Sequence, residues 1–251
     1  MNDDRRHTSF PWGPIRAVGA LVLLHAAVLF FLIGPDVDTA RFIRIGGLVA
    51  GPLVMAQPWR LLTCIVLHSG PSHLFWNGVS MMVFAVPLIL ELGYLPAAAI
   101  YLAGGLLGGI AGALAVPDGV VLIGSSGAVA GLFGAWVAIT LLRARVAPLP
   151  RHAGIRVVGV ALLVLPSLVT PTTSTGTPIS VGAHLGGMVA GLAAGIVLWL
   201  LGRVPMPSVA PVARLEDGGE RAGDGGAGSN GEDSDDDDPD DEAIQPGGWV
   251  H

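Results

Sequence analysis

The apolar part of the chain closes with SVGAHLGGMVAGLAAGIVLWLLG, residues 180–202. The stretch carries no acid, Lys or Arg, and as a helix rising 1.5 Å per residue it extends roughly 34 Å. That is enough to cross a hydrocarbon core about 30 Å thick. One imidazole, His184, interrupts it. Gly187, Gly191 and Gly195 follow His184 at helical spacing, which puts all four within about 60° of one azimuth. A glycine row lets another helix come close, so His184 is expected to face a tightly packed neighbour.

Five further apolar runs of similar length precede this one, at roughly 15–34, 73–93, 95–116, 120–142 and 153–171. The first is too long for a cleavable signal and is followed by no small-residue cleavage site. The fold class expected is therefore all-α: a polytopic membrane protein with a six-helix bundle. Composition agrees, with 13% charged residues in 251 and a mean hydropathy of +0.66. The charges are segregated. Thirteen of the nineteen acids follow Gly202, whereas ten of the thirteen basic residues, all arginine, precede it. Three regions result: an N-terminal segment 1–14, a membrane domain 15–202, and an acidic tail 203–251 whose composition predicts disorder.

Arginine placement gives an orientation. Arg5, Arg6 and Arg16 precede the first run, Arg143, Arg145, Arg151 and Arg156 separate the fourth from the fifth, and Arg203 follows the sixth. An even number of spans puts these clusters on one side, and the positive-inside rule makes that side cytoplasmic, with both termini, most simply at the plasma membrane. Arg41, Arg44 and Arg60 lie on the other side, in a long connection over residues 35–72. That connection holds Gln57-Pro58-Trp59-Arg60, a pairing suited to a membrane–water interface.

Several functions are excluded. Cys64 is the only cysteine, so neither an internal disulfide nor a CxxC metal site can form, and no metal or cofactor is expected. No basic stripe with interleaved aromatics points to nucleic acid. Between residues 40 and 214 the only acids are Glu91 and Asp118, too few at mid-span for a two-carboxylate intramembrane protease, and no HExxH is present.

What remains are polar groups within spans, which are costly there and point to function. His73, Asn77, Ser80 and Glu91 share one face of the second run. The fourth contains Gly124-Ser125-Ser126-Gly127, which begins on the same side of the membrane as the sixth. A serine there and His184 would come from two helices at similar depth, the arrangement of a nucleophile beside its general base. N–H groups at a helix start could stabilise an oxyanion. By spacing alone Ser125 serves as well as Ser126, and GSSG could equally be a flexible cap.

Together these residues resemble the rhomboid family of intramembrane serine proteases over roughly residues 57–197. Four blocks match in order: Trp59-Arg60; His68, His73 and Asn77 closed by Glu91-Leu92-Gly93; Gly124-Ser125-Ser126-Gly127; and Ala183-His184 with Gly187 and Gly191. The resemblance implies Ser126 as nucleophile and His184 as base, in a dyad with no acidic third member. It implies His73 and Asn77 as oxyanion support, and structural roles for Trp59, Arg60, His68, Glu91, Gly124, Gly127, Gly187 and Gly191. Substrates would be single-span membrane proteins, cleaved in or near the span within the lipid bilayer. One departure stands out: Ala130 occupies the position where family members carry an aromatic that packs on the histidine, leaving Phe133 or Trp136 to hold His184. The competing reading is an inactive rhomboid-like protein that binds membrane clients, of which loss of Ser126 or His184 would be the mark. A small transporter is disfavoured by the lack of inverted repeats and of any midplane acid.

Overall fold

The computed structural model of the protein describes residues 10–34, 38–148 and 180–206. The expected fifth span at 153–171 lies outside the described residues, as do the acidic tail beyond residue 206 and residues 1–9.

Apolar length sets the main elements. Helix α1 (Trp12–Val28) runs on through a π-helical turn, Leu29–Ile33. Three short helices follow, α2 (Thr39–Ile45), α3 (Leu53–Ala56) and α4 (Arg60–Val66), with strand β1 (Leu48–Val49) between the first two. Then come α5 (Pro71–Leu92), α6 (Tyr94–Leu114), strand β2 (Val121–Leu122), α7 (Ser126–Ala144) and α8 (Val181–Leu200). Among the described residues five helices are long and apolar enough to cross a membrane: α1 with its π turn, α5, α6, α7 and α8. The chain thus forms a helical membrane bundle.

Only one of these elements departs clearly from the apolar runs. The run beginning at 120 becomes helical only at Ser126, because Val121 and Leu122 pair with Val49 and Leu48 as a two-residue antiparallel ladder. Ala50 N–H donates to Val120 O at 2.9 Å and Gly119 N–H to Ala50 O at 3.0 Å, extending it. The connection after α1 therefore grips the segment leading into α7.

Helix directions follow from side-chain and backbone registers. Gly131 and Gly127 of α7 meet Gly191 and Gly187 of α8, so these two helices run parallel. Gly104 and Gly108 of α6 meet Gly131 and Gly127 in reverse order, so α6 is antiparallel to both. A Cβ at Gly187 would collide with the carbonyl of Gly127, and one at Gly191 with that of Gly131. Backbone touches backbone along this seam, as small residues permit in membrane helices. Helix α7 lies at the centre and is mostly buried, whereas α1 is mostly exposed. Exposed Phe30, Phe31, Phe75, Trp76 and Leu200 form part of the apolar outer surface.

At the end opposite the start of α7, Glu91 of α5 and Arg143 of α7 pair at 3.0 Å. Arg143 also donates to Pro205 O at 2.8 Å, just beyond α8. One guanidinium thus ties three helices together where they terminate.

Candidate active site

The site begins with a turn that only glycine can make. Gly124 has φ +115°, a conformation that costs an L side chain strain. A Cβ there would also lie 2.8 Å from Cε1 and 3.0 Å from Nε2 of His73. Gly124 N–H donates to Cys64 O at 2.9 Å, fixing the turn to α4. The next residue, Ser125, caps α7, and its carbonyl accepts the first helical bond from Val129 N–H at 2.9 Å. The N–H groups of Ser126, Gly127 and Ala128 precede that bond, so they have no partner within the helix.

Ser126 is half-buried in the first turn of α7, and His184 is buried in the first turn of α8. Ser180 caps α8 by accepting from Ala183 N–H at 3.2 Å, and His184 N–H donates to Ser180 O. Between the two side chains runs the glycine seam. Gly127, which follows Ser126, packs on the carbonyl of Ala183, which precedes His184, and on Gly187 one turn further along. The first turns of α7 and α8 are therefore held side by side through their backbones.

His73 lies across the turn from α5. Its Nδ1 accepts from Ser69 N–H at 3.5 Å and meets Ser69 Oγ at 3.1 Å. A backbone N–H can only donate, so in the neutral ring the proton sits on Nε2, the atom beside Gly124. His73 is also within electrostatic reach of His184. Asn77, one turn further along α5, is buried, and its Nδ2 donates to His73 O at 3.0 Å. One donor of that carboxamide is thus committed to its own helix.

The two serines of the turn have different surroundings. Ser125 is fully buried, with its hydroxyl 3.3 Å from Nε2 of His68. The other nitrogen of His68 faces the Val66 carbonyl at 3.4 Å. A carbonyl only accepts, so Nδ1 carries the proton and Nε2 accepts from Ser125. Burial pushes His68 down to about 3, helped by His73 and His25, so the ring is neutral at ordinary pH. Its ring meets that of His73 at 5.0 Å and that of His25 at 5.4 Å.

His25 is a residue that sequence reasoning missed. It is fully buried on α1, with Nδ1 2.7 Å from Leu21 O and Nε2 3.2 Å from the Tyr101 hydroxyl of α6. The signal was present, because an imidazole in the middle of the first apolar run is costly unless satisfied.

Other expected residues lie apart from the turn. Arg60 donates to the carbonyls of Ile43 and Gly47, both at 2.7 Å, and stacks over Trp59 at 4.6 Å. That pair organises the connection after α1. Glu91 belongs to the clasp at the far end of the bundle. Phe133 and Trp136 pack around Phe84 of α5. Burial raises the Cys64 thiol to about 12, which leaves it no thiolate character. Among the described residues no three His, Cys, Asp or Glu side chains group to hold a metal.

Comparison with known proteins places these residues in a wider frame. Residues 55–201 match the family model for the Rhomboid domain. The chain is 31% identical over 170 residues to RHOMBOID-like protein 5 of Arabidopsis thaliana, covering 67% of this chain and 52% of that one. It is 32% identical over 170 residues to RHOMBOID-like protein 7 of the same plant, covering 66% and 51%. With Rhomboid protease GluP of Bacillus subtilis it shares 28% identity over 176 residues, 69% of this chain and 33% of that protein. The chain thus spans about half the length of the two plant relatives and a third of the bacterial one.

Proposed function

Because the chain belongs to the rhomboid family, and is an integral multi-pass membrane protein, we propose that it is an intramembrane serine endopeptidase. Its substrates are single-span membrane proteins, cut in or near the span, where an unwound helix offers its carbonyls to a nucleophile. The observation that carries this reading is the seam that sets the first turn of α7 beside the first turn of α8. It supports a dyad of Ser126 and His184.

In this mechanism the Ser126 hydroxyl gives its proton to His184 as its oxygen attacks the scissile carbonyl carbon. The carbonyl oxygen becomes an oxyanion. The Ser126 backbone N–H, unpartnered within α7, and the Nε2–H of His73 are donors suited to it. His184 then returns the proton to the leaving amine, and water hydrolyses the acyl-enzyme by the same route. Asn77 acts on His73 through its backbone carbonyl and supplies its remaining amide hydrogen. Both termini lie on the cytoplasmic side of the cell membrane, following the arginines, so the dyad opens toward the other face.

The direct test is labelling of the purified protein by a fluorophosphonate probe in detergent, together with cleavage of a model single-span substrate. Wild type should be labelled and should cut. Ser126→Ala should do neither while keeping its helicity, and equal labelling of both would overturn the reading.

A further inference from the structure

The strongest feature outside the proposed dyad is a string of buried polar groups that starts on α1 and ends one residue before Ser126. Tyr101 of α6 meets Nε2 of His25 at 3.2 Å, and Nδ1 of His25 meets Leu21 O at 2.7 Å. The Leu21 carbonyl can only accept, so the proton of a neutral His25 sits on Nδ1 and Tyr101 donates to Nε2. The edge of the His25 ring packs on His68 at 5.4 Å and 70°. His68 repeats the same pattern, with its Nδ1–H toward Val66 O and Nε2 accepting from Ser125. His25, His68 and Ser125 are each fully buried, and Tyr101 nearly so.

From this we infer that His25 and Tyr101 are positioning residues for the nucleophile turn. His25 packs on the His68 ring, and His68 and Tyr101 both reach the Ser125 side chain, so that Ser126 is presented at a fixed height and angle. The inference rests on the protease reading given above. Two features favour it over simple cross-linking of α1 to α6. Beyond its contact with His25, Tyr101 also reaches the Ser125 side chain, and the His25 ring lies against His68. His68 in turn is held between two imidazoles and spends its one acceptor on the residue beside the nucleophile. Such a chain of satisfied groups in a low-dielectric interior is stiff and intolerant of a missing member.

The test uses the full-length protein in detergent, with three readouts: the rate of fluorophosphonate labelling, kcat and KM on a model single-span substrate, and the 15N signals of its histidines. Tyr101→Phe and His25→Leu should each lower the labelling rate and kcat about fivefold, the factor that one net hydrogen bond is worth, with KM unchanged. The His68 signal should move in both. His25→Gln should recover most of the rate, because a carboxamide can donate to Leu21 O and accept from Tyr101. Tyr101→Phe removes one oxygen and keeps the ring, so it carries the test if His25→Leu does not fold. Wild-type labelling and kcat in folded Tyr101→Phe, with only its melting temperature lowered, would overturn the inference and leave the protease reading intact. Labelling that persists in Ser126→Ala would overturn both.

Discussion

Ser125 Oγ lies 3.3 Å from Nε2 of His68 in a fully buried position, so neighbouring hydroxyls at the start of α7 have different fates. One is tied into the interior, and the other, on Ser126, is half-buried. Ser125→Ala should therefore lower proteolytic activity only about fivefold, as for the other members of the buried string, and lose about 1–3 kcal/mol of stability, because the His68 acceptor is left unmet. Ser126→Ala should show the reverse, with activity gone and stability near wild type. Cleavage assays and thermal unfolding of the two variants check this together.

His184→Asn should reduce cleavage by at least about a thousandfold, since no other base is proposed for Ser126. A variant that still cuts at near the wild-type rate would remove the base role from His184.

Asn77→Ala and His73→Phe address the oxyanion. Losing one donor should lower kcat by about tenfold to a thousandfold with little change in KM. Asn77 is expected at the lower end, because one of its amide hydrogens is already given to His73 O. Steady-state kinetics on a model substrate decides between them.

His68 supplies a pH signature of stability. Its folded value is near 3 against an ordinary 6.5, so between those values the unfolded chain binds the proton more readily. Stability therefore falls as pH drops through this window and is at full strength above it. Replacing His68 with Asn should flatten that part of the unfolding curve, measured as melting temperature from pH 7 to pH 4. An unchanged slope would count against the burial-driven shift.

Much of this molecule was legible in the chain because membrane spans are set by length. Residues 180–202 announce a helix, and α8 occupies Val181–Leu200. The glycines after His184 announce a close neighbour, and α7 is in contact with them. The start of α7 was less legible. Two-residue strands have no period to read, so apolarity does not distinguish the ladder of Leu48 and Val49 with Leu122 and Val121 from a span, and the fourth apolar run begins six residues before its helix. For Glu91, helical azimuth gave the face but not the partner. Arg143 lies 52 positions away, and only packing reveals that the two ends meet. For His25, the length of the first run reveals a span but not that an imidazole within it meets Tyr101 and His68.

The clasp yields its own expectation. Glu91→Gln should cost about 1 kcal/mol or less, the usual worth of an ion pair that water can still reach. Arg143→Ala should cost more, because it also frees the Pro205 carbonyl and leaves a carboxylate alone at the end of α5. Comparing melting temperatures of the two variants tests the order.

The contact of Gly127 with Gly187, and of Gly131 with Gly191, leaves no room between α7 and α8 for even a methyl group. Such a joint can be altered in one direction only, since every substitution adds bulk and forces the pair apart. Innovation in this protein is thereby channelled elsewhere, toward α1, α5 and the connection between them, where side chains rather than main chains set the spacing. Apart from His25, His73 and Asn77, those outer parts can change side chains while the central pair stays as it is.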